Sequence, residues 1–271
     1  MRNRVFDALL YVFVFILVQF LVTYAVIFVW QLADGKSMQA ALGALSQESL
    51  TLTAPMLIVT QAVYSLVLLV LFVSLRWCRV SRSYLRSKPL GVMSWAAVAA
   101  LGTIIPSELF LEIVKLPDIN SDLLVPVMQN RWGYLAICIF APLVEEMVFR
   151  GAILRALLDG ISHHWVAITL SAALFALVHL NPAQMPHAFC LGLLLGWMYY
   201  RTGSIIPGIV VHWVNNTVAY VVVNLFPQTI DTGITTMLGG DTTRILLAVA
   251  FSLCIFVPAV VQLHLRMRRT A

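Results

Sequence analysis

Charged residues are scarce in this chain: they make up 11% of its 271 residues, against about 25% in an average soluble domain. Hydrophobic residues make up 61% of the chain. A soluble globular domain of this length could not cover so much apolar surface with so few charges. The composition therefore predicts a polytopic membrane protein that leaves little of its length outside the bilayer.

Several common functional signatures are also missing. The four cysteines show neither CxxC nor Cys/His spacing, which argues against a disulfide framework and a thiolate metal site. No HExxH motif occurs, and no Ser or Cys has an obvious base nearby. The net charge of +5 does not indicate nucleic acid, because the basic residues cluster in short loops between apolar segments. We expect no nucleic-acid partner.

Long apolar segments dominate what remains. About 20 apolar residues are needed to cross the hydrocarbon core as a helix. We predict an all-α polytopic membrane protein with about eight transmembrane helices, forming one transmembrane domain over residues 1–271. The predicted spans are 6–32, 54–76, 91–114, 133–157, 164–180, 186–201, 204–226 and 243–264.

The loops between these segments alternate in charge. With eight spans, every basic cluster falls on one side of the membrane, which predicts that both termini are cytoplasmic. We expect an integral protein of a bacterial inner membrane. The basic side carries Arg2, Arg4, Arg76, Arg79, Arg82, Arg86, Lys88, Arg155, Arg201, Arg266, Arg268 and Arg269, and the other side carries Asp34, Glu48, Asp118, Asp122, Asp231 and Asp241.

The fourth predicted span contains ionisable residues at membrane depth. Within residues 141–155 lie Glu145, Glu146 and Arg150. A charged side chain near the bilayer centre costs at least ~2.5–3.5 kcal/mol, so it needs a partner or a water-filled cavity. Glu146 and Arg150 have i,i+4 spacing and can pair on one helix face, which leaves Glu145 for another neighbour. Pro142 removes one helix hydrogen bond and predicts a kink just before the glutamates.

Two further polar positions follow in apolar surroundings. His179 closes the fifth predicted span and shares a helix face with Phe175. His212 and Asn216 share a face of the seventh predicted span, whereas Asn215 points elsewhere. These positions predict a buried polar site in the fourth, fifth and seventh helices.

Two chemistries use this set of side chains. In the first, Glu145 takes a proton from water that His179 holds, and His212 and Asn216 donate hydrogen bonds to an oxyanion. In the second, His179, His212 and a glutamate bind a divalent metal that activates the water. The spacing alone fits both.

The sixth predicted span carries two features with structural interpretations. Gly192 and Gly196 form a GxxxG spacing that predicts close helix packing. His187 lies near the outer end of this span and is assigned no catalytic role. In the third predicted span, Glu108 and Glu112 lie near the outer boundary and are kept out of the site.

Three motifs in order resemble those of the CPBP family, which comprises CAAX proteases and bacteriocin-processing enzymes and is also called Abi. The family's motifs are EExxxR, FxxxH and HxxxN, and the resemblance covers residues 141–217, the expected catalytic motif core. A turn at residues 202–205 before the last motif is also similar. The matching residues are Glu145-Glu146-x-x-x-Arg150, Phe175-x-x-x-His179 and His212-x-x-x-Asn216.

The resemblance implies an intramembrane endopeptidase that acts on a peptide or membrane-protein substrate in the lipid bilayer. By position it implies that Glu145 is the base for water, that His179 is its partner, and that His212 and Asn216 form the oxyanion side. A non-catalytic self-immunity or scaffold protein that kept the motifs is the alternative from another class. A proton-coupled transporter is a third possibility, since buried Glu and His also form proton relays.

The resemblance also bears on supporting residues and on a possible metal. Glu146 and Arg150 match the motif's second Glu and its Arg, and we interpret them as supporting residues. The family has been described both as metalloproteases and as metal-free glutamate enzymes, so the cofactor is either none or a divalent metal such as zinc. A metal would use His179, His212 and Glu145; we favour the glutamate mechanism because Asn is a poor zinc ligand.

One geometric difficulty follows from these spans. At ~1.5 Å per residue, Glu145 and His212 fall in the middle to inner part of the membrane, whereas His179 falls nearer the outer face. Either the fifth span starts later than residue 164, or residues 158–166 dip into the membrane.

Overall fold

In a computed structural model, residues 4–45, 52–78, 84 and 89–267 are described. All elements within these ranges are helices. They are α1 (Arg4–Ala33), α2 (Met38–Ala44), α3 (Ala54–Ser74), α4 (Leu90–Val114), α5 (Ser121–Gln129), π1 (Leu135–Phe140), α6 (Ala141–Val148), π2 (Phe149–Leu154), α7 (Arg155–Gly160), α8 (His164–Leu177), α9 (Met185–Thr202), α10 (Ile206–Leu225), α11 (Thr229–Met237) and α12 (Thr242–Arg266).

The fourth predicted span is a helix interrupted by two π turns. The elements π1, α6, π2 and α7 follow one another without a break, and we call them together the interrupted helix. Within π1 the N–H of Ala141 bonds the carbonyl of Ala136, five residues back. In this pattern the next donor would be Pro142, which has no N–H, so the carbonyl of Ile137 loses its helix partner. The irregularity expected beside Pro142 therefore takes the form of a wide π turn.

Each of the eight predicted spans coincides, to within three residues at either end, with one of these helices or with the interrupted helix. By length and composition, five helices in the described part of the chain could cross a membrane: α1, α3, α4, α10 and α12. The structure thus supports an integral membrane protein with several spans. Crossing by the interrupted helix, α8 and α9, and hence the total of eight, remains a prediction.

The short helix α8 explains the difficulty in the depth of His179. It has 14 residues, about 21 Å, and does not need to cross the full ~30 Å of hydrocarbon. Glu145 lies 15 residues before Gly160 at the end of α7, and His179 lies 15 residues after His164 at the start of α8. Because α7 and α8 pack against each other across a short turn, this equal spacing predicts a similar height for Glu145 and His179.

Close helix packing surrounds the site. A Cβ built on Gly192 would lie 2.9 Å from the Cβ of Ala172, and one on Gly196 would lie 2.9 Å from Ile168 Cγ2. The GxxxG spacing therefore brings α9 against α8, as predicted. On its other side α9 packs against α10, so α9 holds two of the motif-bearing segments together.

Much of the charge pattern behind the predicted orientation lies outside the described residues. The structure gives no direction across the membrane, so the cytoplasmic placement of both termini, like the bacterial origin, stays a prediction. The charged loop residues outside the described ranges are Arg2, Glu48, Arg79, Arg82, Arg86, Lys88, Arg268 and Arg269.

Candidate active site

A buried ion pair lies at the centre of the interrupted helix. The guanidinium Nη1 of Arg150 donates to Oε1 of Glu146 at 2.9 Å, and the two side chains are 1% and 0% exposed. Arg150 also donates to the carbonyl of Gly192 at 3.4 Å. The i,i+4 pairing predicted for these two residues is therefore present, and it is closed off from solvent.

The imidazole of His212 lies between the two glutamates. Its Nδ1 is 3.3 Å from Oε1 of Glu146, and its Nε2 is 3.8 Å from Oε2 of Glu145. Because a carboxylate can only accept, Nδ1 carries the proton of the bond to Glu146. The side chain of Glu145 is 21% exposed, whereas that of Glu146 is fully buried. Of the two carboxylates, only that of Glu145 therefore reaches the surface of the protein.

The ring of Phe175 joins the three motifs. It is 1% exposed, and its centroid lies 4.9 Å from that of His179 and 5.8 Å from that of His212, with each pair almost perpendicular. On the same ring the guanidinium carbon of Arg150 lies 4.3 Å from the centroid, a cation–π contact. The FxxxH spacing thus supplies an apolar ring against which both histidines and the arginine pack.

His179 lies in a turn just beyond α8, not on the helix as its span ends predicted. Its Nδ1 lies 2.7 Å from the carbonyl of Phe175, so Nδ1 is the donor and a neutral ring presents an Nε2 lone pair. The next residue, Leu180, adopts a left-handed conformation with φ 51°, which turns the chain away. Within the described residues, no hydrogen bond or ion pair joins His179 to Glu145.

Asn216 bonds the carbonyl that Pro142 leaves without a helix donor. Its Nδ2 donates to the oxygen of Ile137 at 2.9 Å. Its Oδ1 accepts from Nδ2 of Asn215 at 3.2 Å. Asn216 therefore ties α10 to π1, and it lies on the same face of α10 as His212.

Sequence reasoning missed two contributors to this region. Gly208 faces Glu146 so closely that an added Cβ would lie 2.6 Å from Oε2 of that carboxylate. Tyr64 on α3 is 5% exposed and lies close enough to Glu145 for the two side chains to interact electrostatically. Among the described residues, the Tyr64 hydroxyl and Oε2 of both glutamates are buried without a hydrogen-bond partner, which is typical of a polar functional site. Tyr64 stands in an apolar segment that carries no motif, and Gly208 precedes the HxxxN motif on α10 without being part of it.

A metal site requires at least three ligands at one point. Nowhere in the described part of the chain do three or more His, Cys, Asp or Glu side chains gather closely enough to hold an ion. Of the predicted ligands His179, His212 and Glu145, the last two approach each other, with Nε2 of His212 3.8 Å from Oε2 of Glu145, and His179 does not join them in a group of three. This arrangement does not fit a metal centre.

Comparison with known proteins bears on the same segment. Residues 127–218 match a family model described as Type II CAAX prenyl endopeptidase Rce1-like. The family resemblance of the three motifs is confirmed. Searches of curated proteins and of solved structures each give no match.

The Rce1-like match covers about a third of the chain and includes all three motifs. It supports a CAAX-type protease whose substrate is a peptide and whose site is embedded in the membrane. The helices long and apolar enough to span a bilayer agree with this placement. The match does not specify which residues carry out the reaction or whether a metal takes part.

Proposed function

We propose that this protein is an intramembrane endopeptidase in which Glu145 activates water for attack on a peptide bond. The observation that carries the proposal is the contrast between the two adjacent glutamates. Arg150 and His212 both contact Oε1 of Glu146, and the Glu146 side chain is fully buried. Glu145 keeps a partly open carboxylate beside the same histidine. One carboxylate is thus a fixed support, and the other is placed to act as a base.

Water would lie between Glu145 and His179. The carboxylate of Glu145 and the Nε2 lone pair of a neutral His179 are both acceptors. A water that donates one hydrogen to each would point its oxygen lone pairs toward a substrate carbonyl. Glu145 takes one proton from the water as the water oxygen bonds to the carbonyl carbon of the substrate. The π electron pair of that carbonyl moves to its oxygen. Glu145 then returns that proton to the amine nitrogen as the carbon–nitrogen bond breaks.

His212 and Asn216 would stabilise the oxyanion. Since Nδ1–H of His212 donates to Glu146, a second donor at Nε2 requires a ring that carries both protons. One oxyanion donor typically contributes ~3–4 kcal/mol to the transition state. We assign Glu146 and Arg150 supporting roles.

Cleavage of a peptide tests the proposal directly. Because the family description names CAAX prenyl endopeptidases, the first probe is a farnesylated fluorogenic peptide ending in a CAAX sequence, presented in mixed micelles. We expect Glu145→Gln and His179→Ala to abolish cleavage while both variants insert and fold. Glu112→Gln is the matched control, since it makes the same change in another predicted span, at a carboxylate that binds Thr235. Full activity in both site variants would overturn the assignment.

Two further measurements separate the alternatives. Metal analysis of the purified protein, with chelator treatment, tests the metal-dependent version. Stoichiometric zinc lost together with activity would refute the glutamate mechanism. A cellular phenotype that survives Glu145→Gln would instead favour the non-catalytic scaffold. Comparing membrane-protein fragments in cells with wild-type and Glu145→Gln protein would identify natural substrates.

A further inference from the structure

We infer that His187 and Asn215 are positioning residues that fix the amide orientation of Asn216. Three hydrogen bonds connect them in one line. His187 Nε2 lies 3.1 Å from Oδ1 of Asn215, Asn215 Nδ2 donates to Oδ1 of Asn216 at 3.2 Å, and Asn216 Nδ2 donates to the carbonyl of Ile137 at 2.9 Å. We call this line the amide relay. Its catalytic consequence rests on the proposed function.

The direction of the relay is set at the Ile137 end. A backbone carbonyl can only accept, so the group of Asn216 that faces it must be the NH2. The oxygen of Asn216 then faces Asn215, which must present its own NH2. The oxygen of Asn215 is left to face His187, so Nε2 of that ring must carry a proton. Each donor in the line is therefore determined by the one before it.

The local fold explains why Ile137 is available as the anchor. The π turn ahead of Pro142 removes the helix donor of this carbonyl. At the other end, His187 lies in the first turn of α9, and α9 packs against α10. The relay therefore links α9, α10 and π1.

The orientation matters because a carboxamide presents different chemistry at its two ends. With NH2 held on the Ile137 carbonyl, one of its two hydrogens is used and the other can be donated to an oxyanion. A flipped Asn216 would present oxygen there and repel the developing negative charge. A free amide can exchange these two orientations by rotating about its last side-chain bond. The carbonyl of Ile137 favours the productive one from one side, and the NH2 of Asn215, itself held by His187, favours it from the other.

The first test measures coupling without any substrate. Thermal unfolding in detergent is followed for wild type, Asn215→Asp, Asn216→Ala and the double variant. Asp at position 215 still accepts from His187, but it cannot donate to Asn216. We expect non-additive shifts in Tm, with Asn215→Asp costing less in the Asn216→Ala background. Additive shifts would show that the two amides are not linked and would overturn the inference.

The second test measures kcat and KM on the farnesylated CAAX peptide. We expect Asn215→Asp to lower kcat at least about tenfold with little change in KM, since one oxyanion donor is typically worth 10²–10³ in kcat. In the Asn216→Ala background the same change should have no further effect on kcat. His187→Leu should behave like Asn215→Asp, and His187→Gln should restore activity, because its amide can donate from a similar position.

Asn224→Asp is the matched control for these variants. Asn224 also lies on α10 and donates its amide to a backbone carbonyl, that of Met128, at 2.9 Å. Its change to Asp removes a similar structural bond outside the relay, and we expect kcat within about twofold of wild type. Wild-type kcat in Asn215→Asp, while Glu145→Gln is inactive, would overturn the relay and leave the proposed function standing. Full activity in Glu145→Gln and His179→Ala would overturn the proposed function, and the Tm cycle would still decide the relay.

Discussion

The Nδ1 of His212 lies 3.3 Å from Oε1 of Glu146. The same oxygen accepts from Arg150 at 2.9 Å, so a single carboxylate oxygen holds a residue on its own helix and a residue on α10. Glu146 therefore orients His212 as well as neutralising Arg150. This second contact gives the supporting glutamate a link to the proposed chemistry that a simple intrahelical pair would lack.

Variants of the Glu146–Arg150 pair should separate stability from activity. Removing one partner with Glu146→Met leaves a buried, unpaired guanidinium, and we expect a loss of about 3–5 kcal/mol in stability. Replacing both residues by Met should recover most of that stability, since well-packed apolar side chains can replace a buried ion pair. Cleavage should be abolished in the single and the double variant, because Nδ1 of His212 loses its hydrogen-bond acceptor, Oε1 of Glu146. Thermal unfolding in detergent and the peptide assay measure the two effects, and an active double variant would contradict the orienting role.

Gly208 should tolerate no side chain. A methyl group there would lie 2.6 Å from Oε2 of Glu146, so either the carboxylate or α10 must move. We expect Gly208→Ala to lower kcat at least about tenfold, since small displacements in a site are costly. Gly43→Ala is the control, because a Cβ on that glycine of α2 meets no atom of the described residues within 4 Å. Equal activity of the two variants would show that the carboxylate does not need its present position.

Replacing Pro142 should affect activity more than stability. Pro142→Ala restores a backbone N–H. This N–H can donate to the carbonyl of Ile137, which then no longer depends on Asn216 for a hydrogen-bond donor. We expect Tm to be unchanged or higher and kcat to fall at least about tenfold through loss of the Asn216 orientation. Pro258→Ala, a proline inside α12, is the comparison that changes a helix far along the chain from the motifs. A fully active Pro142→Ala variant would show that Asn216 keeps its orientation without this anchor.

Spacing along single helices predicted those parts of the site that depend on one helix. The Glu146–Arg150 pair and the Phe175–His179 contact both follow from i,i+4 geometry, and both are present. The family resemblance of the motifs, confirmed by the match to residues 127–218, required no structure. Helical pattern and apolar length also located a helical segment at each of the eight predicted spans, and five of these meet the length and composition needed to span a membrane. The short helices α2, α5 and α11 were not predicted.

Contacts between helices could not be predicted in the same way. The position of His212 between two glutamates depends on how α10 is rotated against α6, which spacing does not fix. The bond from Asn216 to Ile137 depends on a π turn, and an α-helical count places the missing hydrogen bond of Pro142 one residue later. The predicted depth of His179 assumed that its apolar segment crosses the whole bilayer, and the sequence did not show that α8 has only 14 residues.

Phe175 should prove to be a positioning residue for both histidines. Phe175→Leu keeps an apolar side chain but removes the ring contacts to His179, His212 and Arg150, and aromatic pairs are each worth about 0.5–1.5 kcal/mol. We expect lower Tm and at least about tenfold lower kcat, because the imidazoles lose the surface that holds their ring planes.

Phe15→Leu is the matched control for that change. Phe15 on α1 is 4% exposed and makes edge contacts with Tyr64 and Phe149, so its loss should lower Tm to a similar extent. Since its ring contacts neither histidine, kcat measured well below the lowered Tm should stay within about threefold of wild type. If the two leucine variants lose activity equally, the effect of Phe175 is one of general stability, and the shared ring does not position the two histidines.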